Sequence, residues 1–114
     1  MTWQGESEIL LPNGQKLTFK KVKGRGINLK FLSNQKLKIR NRQGGESFKP
    51  DSKRPTKKIK QLLQESNLPP WERDALPLIF VGDELAFIPN FGVDIKYQVK
   101  PQEIGLMIEL MQSK

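Results

Sequence analysis

Four cations on alternate positions, Lys36, Lys38, Arg40 and Arg42, carry the clearest chemical signal in the chain. On an extended strand, residues two apart point the same way, about 6.5–7 Å from one another. The pattern therefore predicts one row of positive charge, with Leu37 and Ile39 turned to the opposite face. Such a row repels itself unless an anion lies across it, which makes a phosphate-binding face the leading reading. The other reading is a solvated face whose long side chains splay apart in salt, and it stays open. A second cluster follows at Lys57, Lys58 and Lys60, with Lys53 and Arg54 in the polar, proline-bounded loop before it. Lysines and arginines among turns suit phosphate contacts on a structured duplex better than base stacking along a single strand.

Charge elsewhere sharpens the signal. The chain has 114 residues, a formal net charge of +8 and no histidine or cysteine. Sixteen of the twenty Lys and Arg fall in residues 16–60, against two of the twelve acids. This asymmetry points to a polyanionic partner, nucleic acid above all. Without His or Cys there is no thiolate zinc site, disulfide or cysteine nucleophile, and a triad would need Ser-Lys or carboxylate chemistry. Carboxylates come in local pairs, Glu6/Glu8, Glu72/Asp74 and Asp83/Glu84, and nothing in their pattern supports a magnesium site. Gly44-Gly45 is no phosphate-binding P-loop, because no Gly-Lys-Ser/Thr follows it. The first residues lack the basic and apolar regions of a signal peptide, and no apolar run reaches the length of a membrane span. The start of the sequence also fits a piece cut from a longer protein. A reducing cytoplasm is the expected compartment.

The elements that must hold these charges read as follows. Ile9–Leu11 and Lys16–Val22 flank an Asn13-Gly14 turn, with Leu17 and Phe19 inward. Gly24 and Gly26 supply positive φ for a loop; close approach to a phosphate is the alternative. Ile27–Phe31 alternates as a half-buried strand. Lys36–Arg42 is the next strand, ended by the tight loop Gln43-Gly44-Gly45-Glu46, and Phe48 belongs to the core. Thr56–Asn67 is the main helix, capped by Thr56, with Ile59, Leu62 and Leu63 on its apolar stripe. Lysines in its first turns oppose the helix dipole, a penalty that a bound phosphate would reverse. Pro70–Ala75 is a short second helix with Pro70 at its first position. Trp71, among prolines and leucines, is read as a core anchor, with base stacking as the alternative. Leu78–Val81 and Glu84–Ile88 form a hairpin on Gly82-Asp83, and Asp94–Val99 is a further strand. Ile104–Met111 alternates as a strand, with helix as the alternative. The expected class is a single, β-rich α+β domain with sandwich-like sheets.

Several segments also resemble a known family. They are Arg40-x-Arg42-Gln43-Gly44-Gly45-Glu46-x-Phe48-x-Pro50, Lys57-Lys58-Ile59-Lys60 with Leu62-Leu63-Gln64-Glu65, and Pro69-Pro70-Trp71-x-Arg73-Asp74-x-Leu76-Pro77-Leu78. Gly82-Asp83-Glu84-Leu85 and Gly92-Val93-Asp94 complete them. In order and spacing they resemble the C-terminal domain of bacterial tRNA(Ile)-lysidine synthetase, over about residues 39–94. The resemblance implies a fold similar to a module of the phenylalanyl-tRNA synthetase β subunit. It implies a parent enzyme, an ATP-dependent ligase, that joins lysine to the wobble cytidine of an isoleucine tRNA. The parent's signature, Ser-Gly-Gly-x-Asp-Ser, is absent here. This chain is therefore expected to be non-catalytic and without a cofactor, with ATP, and any magnesium that it needs, belonging to the parent's other domain. The expected partners are tRNA, through its acceptor stem, and the catalytic domain of the same enzyme, but no membrane; docking or dimerisation, and a stand-alone nucleic-acid-binding module, are the alternatives. Carried onto matching positions, Arg40, Arg42, Lys57, Lys58, Lys60 and Arg73 become tRNA contacts, joined by Lys36, Lys38, Gln43, Lys53 and Arg54. Gly44, Gly45 and Glu46 shape the loop beside them.

Overall fold

Apolar-polar alternation builds the first layer. In the computed structural model, which describes residues 1–12, 14–41, 46–49, 56–66, 68–89 and 91–111, β1 (Glu8–Leu10), β2 (Lys16–Lys23) and β3 (Ile27–Asn28) join the C-terminal strand in one sheet. That strand, β10 (Ile104–Met111), pairs antiparallel with β2 along its whole length, Ile108 opposite Phe19 and Leu110 opposite Leu17. Leu17, Phe19, Leu106 and Ile108 are buried on its inner face.

The second layer carries the cationic row. β4 (Leu37–Asn41), β7 (Pro77–Val81), β8 (Glu84–Ile88) and β9 (Gly92–Val93) form an antiparallel sheet in that order. Leu37, Ile39, Ile79, Val81 and Phe87 meet the inner face of the first sheet in one core. The opposite face of the second sheet is covered as well. β5 (Ser47–Phe48) and β6 (Lys57–Lys58) form a two-stranded ribbon, followed by α1 (Ile59–Gln64). Phe48, Ile59 and Leu63 pack there on Leu78, Phe80, Leu85 and Ile88. Covering on both sides explains why all five residues of β7 are buried. A short helix, α2 (Pro70–Ala75), crosses the end of β4, where Asn41 Nδ2 donates to the Asp74 carbonyl, 3.1 Å.

Four expectations are corrected. The main helix starts at Ile59 rather than Thr56, because Lys57 and Lys58 pair with Phe48 and Ser47 as a strand. Its cap residue is Lys58, whose side chain does not cap the helix, and the Ile59 amide donates to the Glu46 carbonyl instead, 2.8 Å. Ile27–Phe31 is a strand only as far as Asn28. The Asn28 side chain accepts from the Lys30 amide and turns Leu29–Leu32 into a 3-10 helix. Asp94 does the same at Lys96, so Ile95–Tyr97 is a 3-10 turn and no strand runs from Asp94 to Val99. Trp71 is 72% exposed; Leu68 and Leu76 take the core positions beside α2. The first hairpin, α2, the Gly82-Asp83 hairpin and the C-terminal strand stand where the sequence puts them.

Candidate nucleic-acid interface

Of the expected row, Lys38 and Arg40 lie on β4. Lys38 lies opposite Phe80 and Arg40 opposite Leu78, so both cations leave the sheet on the face covered by the ribbon and α1. Lys36 is exposed just before the strand. Arg40 is held most closely. Its guanidinium lies over the Phe80 ring, 4.0 Å from the centroid, and its Nε is buried without a hydrogen-bond partner among the described residues. The flat, weakly hydrated guanidinium suits that stacking, and a guanidinium's donors form a rigid fork of the kind that matches a phosphate.

Arg40 forms one wall of an open groove of about 590 Å³. Ser47, Lys49 and Thr56 of the ribbon side, and Asp94, Lys96 and Tyr97 of the 3-10 turn, line the rest with the Asp83-Glu84 turn. Lys49 and Lys96 carry no local sequence signal. They arrive because the Lys49 amide donates to Asp94 Oδ2, 3.0 Å, while the Ile95 amide donates to the Lys49 carbonyl, 2.8 Å. Four carboxylates also reach the groove, Glu46, Asp83, Glu84 and Asp94, so its interior is not uniformly positive. Most of that acid has internal work. Glu84 accepts from Lys96 and from the Tyr97 hydroxyl, the latter at 2.6 Å. Those bonds hold the Glu84 carboxyl below its ordinary pKa. Burial first, and then the bond to Glu84, raise the Tyr97 phenol. Asp83 sits 3.6 Å from Lys38 in an exposed pair.

The remaining candidates divide. Lys57 is bonded to Glu65, 2.6 Å, while Lys58 and Lys60 are exposed on the ribbon edge and on α1. Thr56, next in the chain to these lysines, lines the same groove as Arg40. Arg73 donates through Nε to the Leu68 carbonyl, 2.8 Å, a bond that braces α2. Arg42, Gln43, Gly44, Gly45, Lys53 and Arg54 lie outside the described residues. The cationic half of the sequence is also divided by the fold. Lys20, Lys21, Lys23 and Arg25 are exposed on the first sheet and its following turn, apart from the β4 row. Among the described residues no three acidic side chains group as a metal site, and no helix is long and apolar enough to cross a membrane.

A two-sheet, β-rich domain that raises a braced arginine and flanking lysines beside a groove is the frame in which comparison with known proteins becomes informative. The family model for the TilS substrate C-terminal domain matches residues 37–110, and the chain belongs to this family. A tRNA(Ile)-lysidine synthase of Nitrosomonas europaea is 39% identical over 109 residues, covering 95% of this chain and 24% of the relative. One of Coxiella burnetii is 32% identical over 115 residues, covering 100% of this chain and 25% of the relative. One of Xanthomonas campestris is 42% identical over 83 residues, 73% of this chain and 18% of the relative. The chain thus spans about a quarter or less of these synthases.

Proposed function

We propose that this domain contacts tRNA for a tRNA(Ile)-lysidine synthase, holding the acceptor stem against a cationic ridge while lysine is joined to the wobble cytidine elsewhere in the enzyme. The observation that carries the reading is Arg40, stacked on Phe80, with a buried Nε that has no hydrogen-bond partner among the described residues, on the same face as Lys38. Lys36, Lys58 and Lys60 extend the ridge toward the ribbon and α1, and Lys57 joins them by exchanging Glu65 for a phosphate. That exchange is easy, because an exposed ion pair contributes only about 0.2–1 kcal/mol. Family membership supports tRNA as the polyanion, since the relatives are named as tRNA(Ile)-lysidine synthases. ATP, with any magnesium it needs, would be bound by the parent's catalytic part.

The test is a gel shift with isoleucine tRNA and with a hairpin of its acceptor stem, over a range of salt. Both are expected to bind, with log affinity falling by roughly 0.7–0.9 per phosphate for each unit of log salt. Binding that ignores salt, or a hairpin that fails to bind where the whole tRNA does, would overturn the acceptor-stem reading.

A further inference from the structure

Two tryptophans occur in the chain, and the fold treats them differently. Trp3 stacks on Phe19, ring centroids 5.4 Å apart, and its Nε1 donates to the Glu6 carbonyl, 2.7 Å. The Trp71 indole is 72% exposed and has neither a ring contact nor a hydrogen bond among the described residues. Its backbone, in contrast, is held firmly. Pro70 opens α2, and the Glu72 and Arg73 amides both donate to the Pro69 carbonyl, 3.0 and 3.1 Å. The bond from Arg73 Nε to the Leu68 carbonyl and the bond from Asn41 to the Asp74 carbonyl tie down both ends of the helix. A bare aromatic ring on a fixed support is a preorganised contact, and docking on it costs little entropy.

The helix stands beside the cationic ridge. Leu68 and Leu76, which flank it, pack into the core on the face of the second sheet from which Lys38 and Arg40 emerge. Asn41, which bonds to Asp74, follows Arg40 in the chain. Trp71 is three residues from Asp74, about 4.5 Å along the helix axis. The sign of the charge changes here. The exposed charges of α2 are Glu72 and Asp74. Phosphates are thus disfavoured beside the indole, although they suit the ridge. An RNA stem has the same division. Phosphates line its sides, and its end shows only the flat, uncharged face of a base pair.

We infer that Trp71 stacks on the last base at the open end of the acceptor stem, so that the ridge holds the backbone and the indole marks where the stem stops. The inference deepens the tRNA reading and rests on it. Every base offers a π face, so this contact senses the end of the stem rather than its sequence. It distinguishes a stem end from the side of any other duplex. Charge alone cannot do so, since phosphates recur along every stem and carry no positional mark. A protein surface as the partner of the indole is the competing outcome of the test.

Two RNAs are compared by gel shift: a blunt acceptor-stem hairpin, open at one end, and a dumbbell of the same stem closed by a loop at both ends. Trp71→Ala is expected to weaken hairpin binding about 5- to 150-fold. The slope of log affinity against log salt should stay the same, because no phosphate contact is lost. Trp71→Phe should restore most of the affinity. The dumbbell should bind the natural protein about as weakly as the hairpin binds Trp71→Ala, and should not respond to that substitution. In a Trp3→Phe protein, where Trp71 is the sole indole, the hairpin should quench the fluorescence and the dumbbell should not. This readout decides the matter even if Trp71→Ala fails to fold. Unchanged hairpin affinity for Trp71→Ala, or an equal loss with the dumbbell, overturns the inference and leaves the ridge intact; the indole then serves a protein partner. Failure of both RNAs to bind the natural protein overturns the tRNA reading itself, and this inference with it.

Discussion

Arg40→Ala separates the proposed interface from a merely solvated basic surface. A charge-assisted hydrogen bond contributes about 1.5–3 kcal/mol. At 1.4 kcal/mol per tenfold, losing one such contact weakens tRNA binding about 10- to 150-fold. One fewer phosphate neutralised also lowers the slope of log affinity against log salt by roughly 0.7–0.9. Fold stability should hardly move, because two effects oppose each other. Truncation removes a stack on Phe80 of about 0.5–2 kcal/mol, but it also removes a buried Nε without a partner among the described residues, whose burial costs about 1–3 kcal/mol. The assay is a filter-binding or gel-shift titration at several salt concentrations, with a denaturation curve of each variant. Arg25→Ala is the control, since Arg25 is exposed after β2 rather than on the β4 row. Distant exposed charges are screened over about 8–10 Å at physiological salt, so this control should change affinity by no more than about threefold. An unchanged affinity and slope for Arg40→Ala, or an equal loss for Arg25→Ala, refutes the single-ridge reasoning.

Three further outcomes test the frame that holds the ridge. Leu63 is fully buried between α1 and the second sheet, so Leu63→Ala should cost about 2–5 kcal/mol in urea denaturation; a loss under 1 kcal/mol would mean that α1 is not a covering layer. An added Cβ at Gly105 would stand 1.9 Å from the Arg25 carbonyl oxygen, so Gly105→Ala should destabilise by more than about 4 kcal/mol or prevent folding, as judged by circular dichroism. Glu84 has a folded pKa below its ordinary 4.5, so its contribution is fully present above that value and is lost as pH falls through the folded one. The stability difference between the natural protein and Glu84→Gln should therefore be constant near neutrality and shrink in acid; a difference that grows in acid would contradict the bonding seen at Lys96 and Tyr97.

Strand-forming signals were legible wherever a segment's own pattern decided its state. Leu37–Asn41 and Ile104–Met111 alternate, and in the fold Leu37 and Ile39 of the one and Leu106 and Ile108 of the other turn into the core between the sheets. The unbroken run Leu78–Val81 marked a strand, though only the structure shows that it is covered on both sides. Failures occurred where a partner distant in sequence outweighed local preference. Lys57 and Lys58 have helical neighbours and lysine's own helix propensity, yet pairing with Ser47 and Phe48 draws them into a strand. At Asn28 and Asp94 a single side-chain bond to an amide two residues on converts an alternating stretch into a 3-10 turn. Trp71 misled for another reason. The leucines that flank it, Leu68 and Leu76, do pack into the core at either end of α2, but the indole stays outside. Of the site, the β4 cations could be read from spacing, whereas Lys49 and Lys96 meet only through the Asp94 and Ile95 contacts.

Acid beside the ridge yields the most discriminating test. Glu84 and Asp94 are tied to the 3-10 turn and the ribbon, so removing either would disturb the groove along with its charge. Asp83 differs. Its side chain is 93% exposed and stands 3.6 Å from Lys38 in a loose pair. Asn is well tolerated in such turns, so Asp83→Asn deletes a charge while keeping the hairpin. A unit charge about 7 Å from a phosphate in water repels it by about 0.6 kcal/mol. Removing it, and releasing Lys38, should tighten tRNA binding about threefold at low salt, with the gain fading as salt rises. A purely structural role for the Lys38–Asp83 pair predicts the reverse, a slightly weaker fold and weaker binding. The sign of the change in affinity, read in the same titration as Arg40→Ala, therefore decides whether Lys38 faces an external anion or only its own turn.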